Sequence, residues 1–224
     1  MKDSLKKILL VSILLCSTSL LFAHTINYSL ENAPVQDVVW YYIKLGFQHI
    51  IPSGADHILF VVGLCLLSTK VKTILWQATA FTVAHSITLA LSMKNIMMAP
   101  SALIEPIIAL SIMFVAVENM LVKKLSPWRI LVVFLFGLIH GMGFASSLNE
   151  IGLPPNKFYT SIIAFNAGVE LGQIAVILAV FTLIINPFKD KPWYRSKIVY
   201  GLSALITLIA FYWTIERVFF SQPV

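Results

Sequence analysis

The sequence predicts an all-α fold: a polytopic membrane helix bundle of about six transmembrane helices after a cleaved signal peptide. Three observations carry this. The 224 residues are 58% hydrophobic and only 12% charged, with a mean hydropathy of +0.87, whereas a soluble domain is about 25% charged. The apolar residues gather in runs near the length of about 20 that a bilayer-crossing helix needs. The basic residues collect between alternate runs, as the positive-inside rule requires.

Residues 1–23 read as the signal peptide. Lys2, Lys6 and Lys7 form a positive start, Ile8 to Leu15 the apolar stretch, and Ser17 to Ala23 the approach to a small-residue cleavage site. Removal takes Cys16 with it and leaves His24 as the new amino terminus. Cys65 then stands alone, too few thiols for a disulfide or a cysteine-based zinc site.

Residues 24–54 form a periplasmic segment. Val35, Val38, Val39, Tyr42 and Gly46 share one helical face, and Trp40, Tyr41 and Tyr42 are belt aromatics. This pattern predicts a helix lying at the outer membrane surface and ending near His49, with Pro52, Ser53 and Gly54 as the turn.

Residues 55–224 form the six-helix transmembrane domain, with apolar spans at about 55–69, 73–93, 100–122, 128–148, 158–185 and 198–219. The first is short for a crossing. With the mature amino terminus in the periplasm, the inner loops hold Lys70, Lys72, Lys123, Lys124, Arg129, Lys189, Lys191, Arg195 and Lys197. The outer side holds Lys44, Lys94, Lys157 and Arg217, so the balance is nine against four. The localisation that follows is the bacterial inner membrane, multi-pass. The formal charge of +6 is accounted for by this topology, and nucleic acid is not a partner.

Polar groups inside such spans are costly and mark function unless they are paired. The densest stretch runs from His49 to Asp56 and His57. The orientation places Asp56 and His57, His85, Glu105, His140, and the pair Asn166 and Glu170 in the outer half of the bilayer, on five different helices. Asn166 and Glu170 share a face through their i, i+4 spacing. Gathering these groups around a cation offsets their desolvation. Imidazole with carboxylate suits a divalent transition metal such as Ni or Zn. The candidate metal residues are therefore His57, Asp56, His85, His140, Glu170, His49, Asn166 and Glu105. Each also has a structural reading: a fixed helix start for Asp56 and His57, core hydrogen bonds for His85 and His140, a helix cap for Glu105, interhelical bonding for Asn166, an interfacial place for His49. Glu118 reads as an interfacial charge near Lys123, Glu216 with Arg217 as a surface pair, and Ser86 as bonding its own helix backbone. Small residues four apart, as at Gly137 and Gly141 or Gly168 and Gly172, predict close helix packing.

Four motifs resemble the HupE/UreJ family of hydrogenase and urease accessory membrane proteins. They are Pro52-Ser53-Gly54-Ala55-Asp56-His57-Ile58-Leu59-Phe60, Thr82-Val83-Ala84-His85-Ser86, the run from Phe136 through His140-Gly141 to Ala145, and Phe165-Asn166 through Glu170 to Gln173. The resemblance implies a cleaved signal peptide, about six helices, and uptake of nickel or a related ion for metalloenzyme maturation. It carries over to Asp56, His57, His140 and Gly141. The chain looks like a divergent branch. Six residues separate His49 from Asp56 where the family motif has five, and Phe136 and Gly143 stand where that family's second motif has His and Glu.

The expected function is thus a membrane metal transport or accessory protein, more a transporter than an enzyme, with the lipid bilayer, the metal ion and a periplasmic or metalloenzyme-maturation partner as its contacts. The alternative is a zinc-dependent intramembrane hydrolase using the same His/Asp cluster to activate water.

Overall fold

A computed structural model describes residues 30–220; the signal-peptide reading over 1–23 and His24 fall outside them. The described residues are helical throughout, with no strand. The elements are α1 (Val35–Ile50), α2 (Ala55–Leu66), α3 (Val71–Met93), α4 (Ser101–Leu121), α5 (Arg129–Ile151), α6 (Phe158–Val180) and α7 (Tyr200–Phe219). Helix α6 runs on through Phe181–Ile185 and Asn186–Phe188, and a wider turn, Tyr194–Val199, leads into α7. The punctuation is local chemistry. Pro34 and Pro100 precede α1 and α4 in extended backbone. Gly152 ends α5 at φ 82°, a conformation that suits glycine, while its N–H still donates to the Leu148 carbonyl at 2.9 Å.

Among the described residues, five helices are long and apolar enough to cross a membrane: Val71–Met93, Ser101–Leu121, Arg129–Ile151, Pro155–Phe188 and Tyr194–Phe219. The sixth candidate is a broken one. Helices α1 and α2 pass the same test only together, bent by 70°. Alone, the twelve residues of α2 reach about 18 Å, well short of a hydrocarbon core of about 30 Å. The segment beginning at Ala55 is thus too short to cross alone, and reaches the length and apolarity of a span only when joined to α1.

The helix expected to lie flat on the surface is differently placed. It packs lengthwise on α6, running in the same direction. A Cβ on Gly46 would sit 1.9 Å from the Phe165 carbonyl oxygen, one on Gly168 2.1 Å from that of Ile43, and one on Gly172 2.7 Å from Ile50. Only glycine permits backbones this close. The buried face is Val38, Tyr42, Gly46 and Ile50, while Trp40 stays exposed. The Tyr42 hydroxyl donates to the Gly152 carbonyl at 2.7 Å, tying α1 to the end of α5. Helix α1 thus delivers its last residues, His49 and Ile50, into the bundle interior.

The same device joins α3 and α5. A Cβ on Gly141 would meet the His85 carbonyl oxygen at 2.3 Å, and one on Gly137 the Phe81 carbonyl oxygen at 2.5 Å. The two glycines let α5 lie on the backbone of α3 where each carries a histidine.

Candidate metal centre

Four histidines from four helices meet about half-way along the bundle. His49 ends α1, His57 opens α2, His85 lies in α3 and His140 in α5. One ring nitrogen from each of His49, His57 and His85 lies within 4.8 Å of the others. Ring centroids are 4.6 Å apart for His49 and His57, and 6.0 Å for each of these with His85. His140 stands beside this trio, its ring 5.1 Å from that of His57. The wall around them is aromatic. Phe81 packs on His57, His85 and His140, Phe60 on His140, and the stacked pair Phe144 and Phe165 on His49.

Hydrogen bonds behind two of the rings fix which nitrogen those two present. The Asn166 amide donates to the Ile162 carbonyl of its own helix at 2.9 Å, which turns its oxygen toward His85 Nδ1 at 3.1 Å. An oxygen there requires the proton on Nδ1, so His85 Nε2 is the bare lone pair. Ser111 repeats the logic. Its hydroxyl donates to the Ile108 carbonyl at 2.7 Å, and its oxygen sits 3.0 Å from His140 Nε2. His140 then carries its proton on Nε2 and presents Nδ1 bare. His49 Nε2, His57 Nε2, His85 Nε2 and His140 Nδ1 are all buried with no hydrogen-bond partner among the described residues. Leaving a buried polar atom unpaired costs about 1–3 kcal/mol, and four rings with such an atom cluster here.

The donor set fits a transition metal. Three imidazole nitrogens within one small volume, flanked by a fourth ring and no thiolate, are a nitrogen-rich set of the kind zinc, nickel or cobalt takes. Metal–nitrogen bonds of about 2.0–2.1 Å hold ligand nitrogens roughly 3.3 Å apart, so the trio needs a closure of no more than about 1.5 Å.

A cavity of about 410 Å³ leads to the rings. His49, His57 and His140 line it together with Ser53, Asp56, Glu105, Trp213 and Arg217, among others. The acids expected at the rings sit elsewhere. Asp56, next to His57 in the chain, turns to Arg217, whose Nη2 donates to both carboxylate oxygens at 3.0 and 2.9 Å. Glu105 Oε2 lies 3.8 Å from Arg217 Nε. Glu170 accepts from the Thr79 hydroxyl at 2.6 Å along the α3–α6 seam, and its second oxygen is buried and unpaired among the described residues. Beside it Thr82 donates to Gln173 at 3.2 Å. Asn166 stands behind His85 and outside the ring trio.

The match of a family model to residues 25–217, described as HupE / UreJ protein, covers most of the chain. The chain belongs to the HupE/UreJ family. No curated protein and no solved structure matches it significantly. Within this HupE/UreJ chain, the departure in motif spacing has a visible outcome: His49, one residue farther from Asp56, still reaches the trio because α1 ends inside the bundle.

Three sequence expectations need correction. Glu118 is no interfacial charge; it is nearly buried and pairs with the buried Arg129 at 2.9 Å. Arg129, expected among the loop charges, is only 2% exposed. Arg217 pairs with Asp56 and Glu105 rather than with its neighbour Glu216. Ser86, by contrast, donates to the Thr82 carbonyl of its own helix at 2.6 Å, as expected. Sequence reasoning missed Ser111, a lone serine in an apolar run with no signal around it.

Proposed function

We propose that this multi-pass protein binds a divalent transition metal, nickel or zinc, at His49, His57 and His85 with His140 beside them, and hands it on as a transport or accessory protein for metalloenzyme maturation. The observation that carries the reading is the set of four buried ring nitrogens without partners, two of them with tautomers fixed by Asn166 and Ser111. A cluster of four rings, each with a buried nitrogen that has no partner among the described residues, is poorly explained as structure, because each unpaired polar atom weakens the fold. It is well explained as a site that a cation completes. Family membership supports the same reading through the metal role the family implies.

The residues take graded roles. His57 and His85 are the central ligands, His49 the third, and His140 the neighbour able to exchange into the set. Asn166 orients His85. Asp56 and Glu105 guard the cavity mouth, and Glu170 with Thr79, Thr82 and Gln173 offers polar stepping points along α3 and α6. With the mature amino terminus in the periplasm of a bacterial inner membrane, the mouth faces outward, and the ion is gathered from that side. A zinc-dependent hydrolase would need a water and a substrate at the same rings, and its ion would be retained rather than released.

Cells carrying the gene are expected to accumulate more radioactive nickel or zinc than cells without it, and His57→Ala and His85→Ala are expected to remove the gain. Equal accumulation in all four strains, with no metal in the purified protein, contradicts the proposal. One tightly held zinc per chain with no uptake favours the hydrolase.

A further inference from the structure

Arg217 has an unusual position for a protein that collects cations: it is a fixed positive charge on the wall of the cavity that leads to the rings. It comes from α7, which is largely exposed along its length, and its guanidinium is held from several sides. Nη2 grips both oxygens of Asp56 at 3.0 and 2.9 Å, Nη1 donates to the Glu105 backbone carbonyl at 3.2 Å, and Nε lies 3.8 Å from the Glu105 carboxylate. Trp213, one turn earlier, packs its ring 5.4 Å from the guanidinium carbon. Arg217 is 16% exposed at its side chain and Asp56 21%, so the pair is partly withdrawn from water.

We propose that Arg217 determines the metal specificity of the His site by occupying Asp56 as a tethered counter-ion. This inference rests on the reading of the rings as a metal site. Without Arg217 the mouth would present two carboxylates, a hard oxygen set that attracts magnesium and calcium, which are far more abundant than nickel or zinc. With Arg217 in place, Asp56 is already neutralised, and a hard cation gains little by stopping there. What remains attractive is the imidazole set below, which favours transition metals. An ion that does reach His57 brings its charge toward the adjacent Asp56 and its guanidinium. Arg217 then exchanges Asp56 for Glu105, already beside it and joined to it through the backbone carbonyl. The exchange sets a threshold: only an ion bound well by nitrogen displaces the arginine.

The test is titration of the purified full-length protein in detergent with nickel chloride, with and without excess magnesium chloride. Arg217→Gln is expected to bind nickel about tenfold more tightly than wild type and to lose that gain in magnesium, to which wild type is indifferent. Arg217→Lys, which keeps the charge but not the fork, is expected to shift the same way by about threefold. In the Asp56→Asn background, Arg217→Gln is expected to lose most of this effect, leaving only the change of about threefold or less that freeing the half-exposed Glu105 brings. A merely structural clamp between α7 and α2 predicts the opposite: weaker binding in both variants, no response to magnesium, or loss of folded protein in both. Either that result or unchanged affinity overturns the inference. Failure of the underlying site reading looks different, because wild type and His57→Ala would then bind nickel alike.

Discussion

Helices α2 to α5 each contribute to two buried polar clusters, and the clusters differ in whether they are complete. In the first, the four helices supply His57, His85, Ser111 and His140, with His49 added from α1. In the second they supply the Gly63 carbonyl, Gln77, Glu118 with Asn119, and Arg129. The separation along α3, from Gln77 to His85, is about 12 Å, and along α5, from Arg129 to His140, about 16 Å. In the second cluster every group is used. Arg129 pairs with Glu118 at 2.9 Å and donates to Gln77 at 3.1 Å and to Asn119 at 3.3 and 3.4 Å. Asn119 donates onward to the Gly63 carbonyl at 2.7 Å, and Gln77 to the Thr73 carbonyl at 3.2 Å. In the first, four ring nitrogens have no partner among the described residues. The difference separates two uses of buried polarity. A closed network ties helices together, whereas an open set of ring nitrogens is, on the proposed reading, completed by a ligand.

The sharpest way to break this contrast is to give each cluster the same apolar replacement. Arg129→Leu leaves the Glu118 carboxylate buried and unpaired and is expected to destabilise the protein by about 3–5 kcal/mol, read as a large fall in Tm in detergent that no metal restores. His57→Leu removes an unpaired nitrogen, and its metal-free Tm is expected to stay within about 1 kcal/mol of wild type or rise, while nickel affinity falls beyond detection. Equal destabilisation by the two would merge the clusters into one structural class.

Metal itself should complete only the open cluster. At a nickel concentration about 100 times Kd, wild type is expected to gain about 2.7 kcal/mol of stability, measured as a Tm increase, and His57→Leu is expected to gain none. A smaller effect is expected one shell out. Asn166→Ala frees the His85 tautomer and should weaken nickel binding by about 10–100-fold with the ligands intact. The smallest concerns the mouth. Glu105→Gln removes a half-exposed carboxylate and should change nickel affinity by no more than about threefold, measured by the same titration.

The spans are legible in the sequence because a run of about 20 apolar residues is too long and too apolar for the surface of a soluble helix. The position of α1 is not, since an amphipathic helix with belt aromatics reads alike whether its apolar face meets lipid or protein. Gly46, on that same face, is the overlooked signal, with Gly168 and Gly172 as its partners. The histidines are legible because imidazoles are rare inside membrane helices. The bonds of Asp56 are not, because Arg217 lies 161 residues away in the chain. Arg129 misleads for a local reason. At the first position of its helix it resembles a loop charge, and only Gln77, Glu118 and Asn119 at the matching level of two other helices mark it as buried.

On the proposed reading, one ion is held by imidazole nitrogens from His49, His57 and His85. X-ray absorption at the nickel edge of the purified, nickel-loaded protein tests it most directly. One nickel per chain with scattering from three imidazole rings is expected, reduced by one ring in His85→Ala. Nickel surrounded by oxygen alone, or a spectrum unchanged by that substitution, would contradict it.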